Sequence, residues 1–372
     1  MTKLEKMIKE LCPDGVKYFS VGELIKSKSV ETVTPSFKIK RNDYKEEGST
    51  PIISQEAEYI SGYSDSIDKN IPQRKYVCFG DHSEHIKYVD FAFVQGADGL
   101  KIMYTDESVL HPRYFYYSIS NFYKNHNNYE RHFKYLNDTY IPVPPLKVQR
   151  EIVRILDNFT ELTAELMSEL ELRKKQYSEL SYQLLIKKNN SKLHFVKDLC
   201  ELSKGKTPIQ KAEPGDYPLV VTTSERKSCK TYQYDTAAVC IPLVSSRGHG
   251  VASLNHVYYQ EGKFALGNIL CAVVPTDENV LSAKYLYFYF ECTKDYTLVP
   301  LMKGGANVSM HIPDIEKVKI PVPDIETQHS IVSKLEILDE YCNITLPAEI
   351  EARQKQYEYY RDELLTFKEL SV

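Results

Sequence analysis

The sequence predicts an α+β fold: two β-rich domains separated by two long helices that pair as an antiparallel coiled coil. Three observations lead to this prediction. A stretch of sequence recurs about 179 residues further on, apolar residues follow a helical spacing inside both copies, and β-branched and aromatic runs fill the segments between them. Because the copies resemble each other, we expect a pseudo-two-fold internal repeat to relate the two halves of the 372-residue chain.

The repeat is clearest where each predicted helix begins. The segment 141–144 (IPVP) recurs at 320–323, and residues before Pro favour an extended entry to a helix. Further identities follow in register, with Gln149, Ile152, Val153 and Leu156 matching Gln328, Ile331, Val332 and Leu335. A weaker similarity precedes each copy, where the stretch around Tyr114 resembles the stretch around Tyr285.

Within both copies, apolar residues alternate in steps of four and three, which is typical of a coiled-coil seam. The first seam contains Ile152, Leu156, Phe159, Leu166, Leu170, Tyr177 and Leu184, and the second contains Ile331, Leu335, Leu338, Leu346, Ile350, Tyr357 and Leu364. A one-residue insertion near Asn343, together with Pro347, is expected to kink or locally unwind the second helix. Beside the seam runs an acidic stripe, either a solvated face or a protein contact, formed by Asp157, Glu161, Glu165 and Glu169.

The segments that precede the two predicted helices, about 16–140 and 195–318, are expected to form globular domains. Both domains contain short runs of β-branched and aromatic residues broken by turn residues, which favours strands. The Tyr- and Phe-rich stretches at 114–123 and 285–290 are interpreted as short buried helices that pack against the sheets. A role for them in stacking on nucleic-acid bases stays open.

Composition excludes several classes of protein. The net charge of −4 argues against a lone protein that grips DNA by bulk positive charge. Hydrophobic residues make up 42% of the chain, which is too many for a disordered protein. The eight cysteines are scattered, a pattern typical of reduced intracellular thiols. With no signal-peptide or membrane-span pattern in the sequence, we expect a cytoplasmic protein.

Taken together, the duplicated helices and two unlike domains resemble the specificity (S) subunits of type I restriction-modification systems. The resemblance covers nearly the whole chain and is strongest at 141–185 and 320–365. The run 160–166 (TELTAEL) resembles the short spacer repeat of some members, and 12–18 (CPDGVKY) resembles the opening segment of the family. Stretches at 204–208 (KGKTP) and 304–309 (GGANVS) are similar to recurrent parts of its recognition domains.

The resemblance implies that 1–147 and 189–325 are target recognition domains, each reading one half of a bipartite site on double-stranded DNA. It implies that the conserved spacer helices are 148–188 and 326–372. It implies that the chain is not itself an enzyme and has no catalytic residues. It further implies docking of two methyltransferase (M) subunits and of restriction/translocase (R) subunits. S-adenosylmethionine, ATP and Mg²⁺ would be cofactors of those partners, with none in this chain.

Catalytic alternatives find little support in the residues. The sequence has no G-x-x-x-x-G-K-[ST] phosphate loop and no G-x-G-x-x-G turn. Cys78, His82 and His85 could supply three zinc ligands, but no fourth ligand stands at a matching spacing, so we predict no metal site. Two alternatives stay open: a bridging coiled-coil subunit of another DNA-modification complex, and a metal-dependent nuclease.

Clusters of basic and polar residues are the candidate DNA contacts, because Lys and Arg neutralise phosphates and Arg also reads guanine. In the first domain they are Lys38, Lys40, Arg41, His82, His85, Arg131, His132 and Lys134. In the second they are Lys204, Lys206, Thr207, Arg226, Lys227, Arg247, His249, Lys303 and Asn307. Neighbouring glycines, Gly205 among them, are expected to let the backbone approach the nucleic acid.

Overall fold

The computed structural model describes residues 2–65, 70–96, 98–187, 191–247 and 250–370. The chain forms two compact units. Unit 1 combines Met1–Glu165 with Ile350–Val372, and unit 2 is Leu166–Glu349. Each unit therefore contains a β-rich part together with helical segments from both copies of the repeat.

The β-rich part of unit 1 contains nine strands and four helices within the described residues. In chain order they are α1 (Lys3–Leu11), β1 (Tyr18–Ser20), α2 (Val21–Lys26), β2 (Val30–Val33), β3 (Thr50–Ile53), β4 (Gly62–Ser64), β5 (Tyr76–Gly80), β6 (Ile86–Val89), β7 (Val94–Gln95), β8 (Leu100–Thr105), α3 (Pro112–Phe122), α4 (Phe133–Asn137) and β9 (Tyr140–Pro142). The first two helices start at capping boxes, in which Thr2 pairs with Glu5 and Ser20 with Glu23.

The described strands of unit 1 form three sheets. The largest has the antiparallel order β2-β8-β5-β6, and a smaller sheet, β4-β3-β7, includes the parallel pair β3 and β7. A two-stranded sheet joins β1 to β9 and so ties the chain entering the domain to the chain leaving it. Helix α3 packs Tyr114, Phe115, Tyr117 and Ile119 into the core, as predicted from its aromatic residues. Burial of each apolar side chain stabilises the fold by about 1.5–3 kcal/mol. Because these side chains are buried, they cannot stack on DNA bases.

The remaining elements follow the same scheme. They are α5 (Leu146–Tyr182), β10 (Leu193–Phe195), α6 (Val196–Leu199), β11 (Cys200–Lys204), β12 (Tyr217–Val220), β13 (Lys227–Cys229), β14 (Tyr234–Asp235), β15 (Ala238–Pro242), β16 (Tyr258–Gln260), β17 (Lys263–Leu266), β18 (Leu270–Pro275), α7 (Ala283–Thr297), α8 (Ile312–Ile315), β19 (Lys319–Pro321), α9 (Ile325–Glu340) and α10 (Leu346–Leu365).

Unit 2 repeats the sheet topology of unit 1. Its main sheet has the order β11-β18-β15-β16, its smaller sheet contains the parallel pair β12 and β17, and β10 pairs with β19. Strand by strand this matches unit 1, with β14 as an addition. Helix α7 takes the place of α3 and buries Tyr285, Leu286 and Phe290. The structure thus shows two domains of one topology, although their sequences resemble each other only weakly.

The second helix of the repeat is interrupted where the sequence predicted a disturbance. A π-helical segment, Tyr341–Thr345, separates α9 from α10 just before Pro347. A π-turn accommodates one extra residue within a continuous helix, so the one-residue insertion near Asn343 explains it. Helix α5 has no such break before Tyr182 and passes into a π-helical turn only at Gln183–Lys187.

Helical segments from the two copies run antiparallel within each unit. In unit 1, the rings of Phe159 and Tyr360 stack with centroids 5.5 Å apart. In unit 2, Tyr341 Oη donates to Glu169 Oε1 at 3.2 Å, and the Tyr177 hydroxyl bonds to the Asp339 carboxylate. The predicted seam residues are all buried or half-buried.

Candidate nucleic-acid interface

One edge of unit 1 brings several predicted DNA contacts together around Gln55. Its Nε2 donates to the Asp98 carbonyl at 3.1 Å, and its Oε1 accepts from the His82 amide at 3.1 Å. Lys38 Nζ lies 2.6 Å from Asp98 Oδ1. A single amide therefore joins the loop of the predicted His82 contact to the loop of Asp98, and Asp98 in turn pairs with Lys38. Gln55 was not predicted, because its role depends on residues distant in sequence.

The geometry at Gln55 needs a glycine opposite it. Gly99 has a φ of +99°, and a Cβ at this position would lie 2.6 Å from the Gln55 amide oxygen. Other residue types are strained in this backbone region. Gly99 therefore lets the loop close over the Gln55 side chain.

The cations on this edge are exposed and only loosely held. Arg41 pairs with Glu56 at 3.0 Å and Lys134 with Glu130 at 2.8 Å, while Lys40 and His85 are also exposed. Exposed ion pairs contribute only about 0–1 kcal/mol. Phosphate groups can therefore replace these carboxylates at little cost.

A buried carboxylate, Glu84, organises the segment that carries Arg131. Glu84 has a left-handed φ of 60° and accepts from Tyr123 Oη at 2.6 Å, the His126 amide at 2.8 Å and the Asn127 amide at 2.8 Å. Burial opposes its ionisation, but these three donors prevail and lower the pKa of Glu84 to about 2. We call Glu84 and its three donors the Glu84 cluster.

Next to the Glu84 cluster, an aromatic side chain projects from the surface. Tyr129 is 92% exposed, and its ring stacks on that of His82 at 5.4 Å with planes 19° apart. His82 Nδ1 also lies 3.0 Å from the Glu130 carbonyl. A freely exposed aromatic ring beside basic residues is suited to stacking or groove contacts. The sequence signal was a tyrosine inside the polar stretch 124–132.

His132 requires a correction. It was predicted to contact DNA, but its side chain is completely buried. Nδ1 lies 3.1 Å from the Asp81 carbonyl and Nε2 lies 2.7 Å from Asn128 Oδ1, so both ring nitrogens have protein partners. His132 therefore anchors the segment around residue 131 to the protein interior, and its exposed neighbour Arg131 remains the candidate contact.

The proposed zinc ligands do not converge. Cys78 is completely buried within β5, where burial raises the pKa of its thiol to about 12, while His85 is exposed on the loop that follows. Across the described parts of the chain, no three His, Cys, Asp or Glu side chains are grouped closely enough to hold a metal ion.

In unit 2, the segment with Lys206 and Thr207 forms one wall of an open groove of about 660 Å³. Basic and aromatic side chains from two chain segments line it, including Lys206, Lys211, Lys230 and Tyr232. Tyr232 is 46% exposed, and Lys263 Nζ lies 5.1 Å from the centre of its ring. Lys230 pairs with Glu213 at 3.3 Å on the surface. Lys211, Lys230 and Tyr232 were missed because single residues in loops carry no pattern.

Gln233 holds this groove much as Gln55 holds the edge of unit 1. Its Oε1 accepts from the Lys206 amide at 2.9 Å, and its Nε2 donates to the Lys204 carbonyl at 3.2 Å. The backbone on which both lysines stand is therefore fixed, while their side chains stay exposed.

A second group of predicted contacts lies on two paired loops of unit 2. The Ser245 amide donates to the Val308 carbonyl at 2.9 Å, which brings Arg247 near Lys303 and Asn307. All three of these predicted residues are exposed. His249, also predicted, lies outside the described residues.

Arg226 and Gly205 take structural roles instead of the predicted ones. The Arg226 guanidinium bonds to Gln260 Oε1 at 3.0 Å and to the Tyr259 carbonyl at 3.1 Å, so its donors are largely occupied; the next residue, Lys227, is exposed. Gly205 is buried, and a Cβ there would lie 2.1 Å from the Gly267 carbonyl oxygen. Its small size serves packing against the neighbouring backbone and not an approach to nucleic acid.

Comparison with known proteins identifies the family. The sequence matches the type I restriction modification DNA specificity domain twice, over residues 13–172 and 188–352. The chain belongs to this family of DNA specificity proteins. It is 30% identical to the specificity subunit of the type I restriction enzymes EcoR124I and EcoR124II of Escherichia coli, over 99% of this chain and 97% of that protein.

Two solved structures share the fold of this specificity subunit. The S subunit of a type I restriction-modification system from M. genitalium matches 94% of this chain and 96% of its own, with a TM-score of 0.61 at 13% identity. A chain from a study of complex assembly and conformational transition in the type I system matches 95% of this chain and 98% of its own, with a TM-score of 0.53 at 15% identity. Function in this family is DNA sequence recognition by a non-catalytic subunit.

Among the described residues, no helix combines the length and the apolar character that a membrane crossing requires. The long helices α5 and α10 carry charged residues along their whole length.

Proposed function

We propose that this specificity subunit reads a bipartite, asymmetric site on double-stranded DNA, one half with each domain. We assign the recognition domains to 1–147 and 189–325, with α5 following the first domain in the chain and α9 and α10 following the second. The two domains share one strand topology but build their polar surfaces differently, and this observation carries the proposal. Two copies of one scaffold with different surface chemistry suit the reading of two different half-sites.

In the first domain, the proposed reading surface is the edge around Gln55 and the Glu84 cluster. Its cations are exposed, Lys38 and Arg41 pair with the carboxylates of Asp98 and Glu56, and Tyr129 projects beside them. We assign DNA contact to Lys38, Lys40, Arg41, His82, His85, Tyr129, Arg131 and Lys134.

In the second domain, the proposed reading surface is the lysine-lined groove with the paired loops. The groove is open, and lysines that can contact phosphate oxygens line it. We assign DNA contact to Lys204, Lys206, Thr207, Lys211, Lys227, Lys230, Tyr232, Arg247, Lys303 and Asn307.

Partner subunits complete the proposed function. The chain has a net charge of −4, whereas proteins that bind DNA alone by charge are basic. We infer that two M subunits and the R subunits supply much of the phosphate binding. S-adenosylmethionine, ATP and Mg²⁺ belong to those partners. The eight cysteines lack disulfide bonds, which supports a cytoplasmic location.

Mapping methylated adenines in a host that carries this chain with its M subunits tests the proposal. We expect one motif with two unlike half-sites at a fixed separation. Replacing 189–325 by the corresponding domain of another specificity subunit should change one half-site and leave the other intact. A continuous palindrome, or a motif that the replacement leaves unchanged, would contradict the proposal. Footprints without sequence preference would instead indicate a bridging protein.

A further inference from the structure

Each recognition domain is attached to its helix by a buried glutamine in an equivalent position. Gln149 Oε1 accepts from the His111 amide at 2.8 Å, and its Nε2 donates to the carbonyls of Val109 at 3.0 Å and Pro144 at 2.7 Å. The partners fix the orientation of the amide, because a backbone N–H only donates and a carbonyl only accepts. Gln149 is completely buried.

The second copy repeats this arrangement bond for bond. Gln328 Oε1 accepts from the Ser282 amide at 2.9 Å, and its Nε2 donates to the carbonyls of Val280 and Pro323, both at 2.8 Å. Gln328 is also completely buried.

A tyrosine forms a reciprocal bond from the domain back to the strand before the helix. Tyr114 Oη donates to the Pro142 carbonyl at 3.1 Å, and Tyr285 Oη donates to the Pro321 carbonyl at 3.0 Å. Both tyrosines are completely buried on the aromatic helices α3 and α7. The helix thus binds the domain through a glutamine, and the domain binds the helix entry through a tyrosine.

An ion pair forms the third equivalent contact. Arg113 Nε lies 2.9 Å from Asp157 Oδ1 in unit 1, and Lys284 Nζ lies 2.7 Å from Glu336 Oε1 in unit 2. The pairs are chemically matched but use different residue types at both positions. Asp157 belongs to the acidic stripe of the first helix, so at this residue the stripe makes a protein contact.

These contacts define two joints. Joint 1 consists of Gln149, Tyr114, Arg113 and Asp157, and joint 2 consists of Gln328, Tyr285, Lys284 and Glu336. The surrounding domain sequences differ strongly, yet the same contacts recur, completely buried at the glutamines and tyrosines and partly exposed at the ion pairs. A buried polar network is costly unless every group is satisfied, and when satisfied it specifies one arrangement. Apolar packing alone would hold the domain to the helix at a less defined angle.

We propose that the joint residues are positioning residues that fix the angle of each recognition domain on its helix. They thereby restrict the separation of half-sites that the protein accepts. This inference rests on the proposed reading of a bipartite site. The half-site sequences depend on other surfaces, so disturbing a joint should relax spacing without changing the bases read.

The test compares isosteric variants in the complex with the M subunits. Gln149→Glu and Gln328→Glu keep the shape and the acceptor but remove the two amide donors, leaving two buried carbonyls facing a carboxylate. Gln176→Glu, on the exposed side of α5, is the matched control. Methylation is scored on a library in which the wild-type half-sites are separated by spacers one or two base pairs shorter or longer.

We expect methylation at off-length spacers, relative to the wild-type spacer, to rise about tenfold in either joint variant and to stay unchanged in the control. Wild-type spacing selectivity in both joint variants would overturn the proposal. So would loss of methylation at every spacing in a complex that still assembles. If the wild type itself shows no bipartite motif, the proposed function fails instead.

A charge reversal provides a second test that does not depend on the buried amides. Lys284→Glu should relax spacing by repelling Glu336, and adding Glu336→Lys should restore it by re-forming the ion pair. If the glutamine variants fail to fold, the comparison of the single with the double charge variant still tests the proposal. Equal spacing selectivity in the single and double variants would contradict the proposed positioning role of joint 2.

Discussion

The two units share a strand order and equivalent joints, but they build their candidate reading surfaces differently. Unit 1 combines an amide, Gln55, with a buried carboxylate, Glu84, which fixes a segment after α3. Unit 2 uses an amide, Gln233, at the wall of an open groove. The contrast teaches that attachment and reading are separate tasks, so one scaffold can present different surfaces on a constant connection to the helix.

The largest expected effect on the free energy of unfolding comes from placing a charge at equivalent positions in the two helix copies. Leu346 is 1% exposed, whereas its counterpart Leu166 is only half-buried. Leu346→Asp should lower the free energy of unfolding by about 4 kcal/mol, because it buries an unpaired charge. Leu166→Asp should cost about 1 kcal/mol, and Met167→Asp, at an exposed position, still less. Denaturant unfolding measures all three, and equal losses at 346 and 166 would show that the copies are equivalent after all.

A somewhat smaller effect is expected at the Glu84 cluster. Glu84→Gln removes a buried charge that accepts three hydrogen bonds and should lower stability by about 3 kcal/mol. Because the cluster belongs to unit 1, only the half-site read by domain 1 should lose selectivity. Glu46→Gln, at an exposed glutamate, is the control. Equal loss at both half-sites would mean that the two surfaces are not independent.

Acid pH should remove the contribution that ionised Glu84 makes to the stability of unit 1. The pKa of Glu84 is lowered to about 2 in the folded chain, below its ordinary value of 4.5. A lowered folded pKa means that its stabilisation is complete above about pH 4.5 and is lost as the pH falls towards 2. The stability difference between wild type and Glu84→Gln should therefore shrink over this range. A difference that stays constant would exclude ionised Glu84 as its source.

The smallest expected effect concerns the groove of unit 2. In the assembled complex, Lys206→Ala with Lys211→Ala should weaken DNA binding across all sequences and reduce the slope of log affinity against log salt by about 2. Lys175→Ala, an exposed lysine on α5, should leave the slope unchanged. Salt titrations of DNA binding measure both slopes, and an unaltered slope in the double variant would show that DNA does not contact the groove.

Much of the fold was predictable because it follows a repeating pattern. The helix seam, the aromatic helices and the disturbance near Asn343 follow from spacing and composition along the chain. The candidate surface was predictable only in part. Exposed cations such as Arg41 and Lys206 were found by residue type, but His132 and Arg226 have that type and are engaged by the protein. Burial and partnership depend on distant residues, which no local pattern reports.

The sequence by itself determined the duplication, the two helices and the equivalence of Gln149 with Gln328. Only the tertiary structure decided what that equivalence means. Gln149 bonds to backbone groups some 40 residues earlier in the chain, and those groups carry no side-chain signature. Backbone hydrogen bonding depends on where the chain passes and not on which residues it contains. For this reason the shared strand order of two dissimilar domains also became visible only in three dimensions.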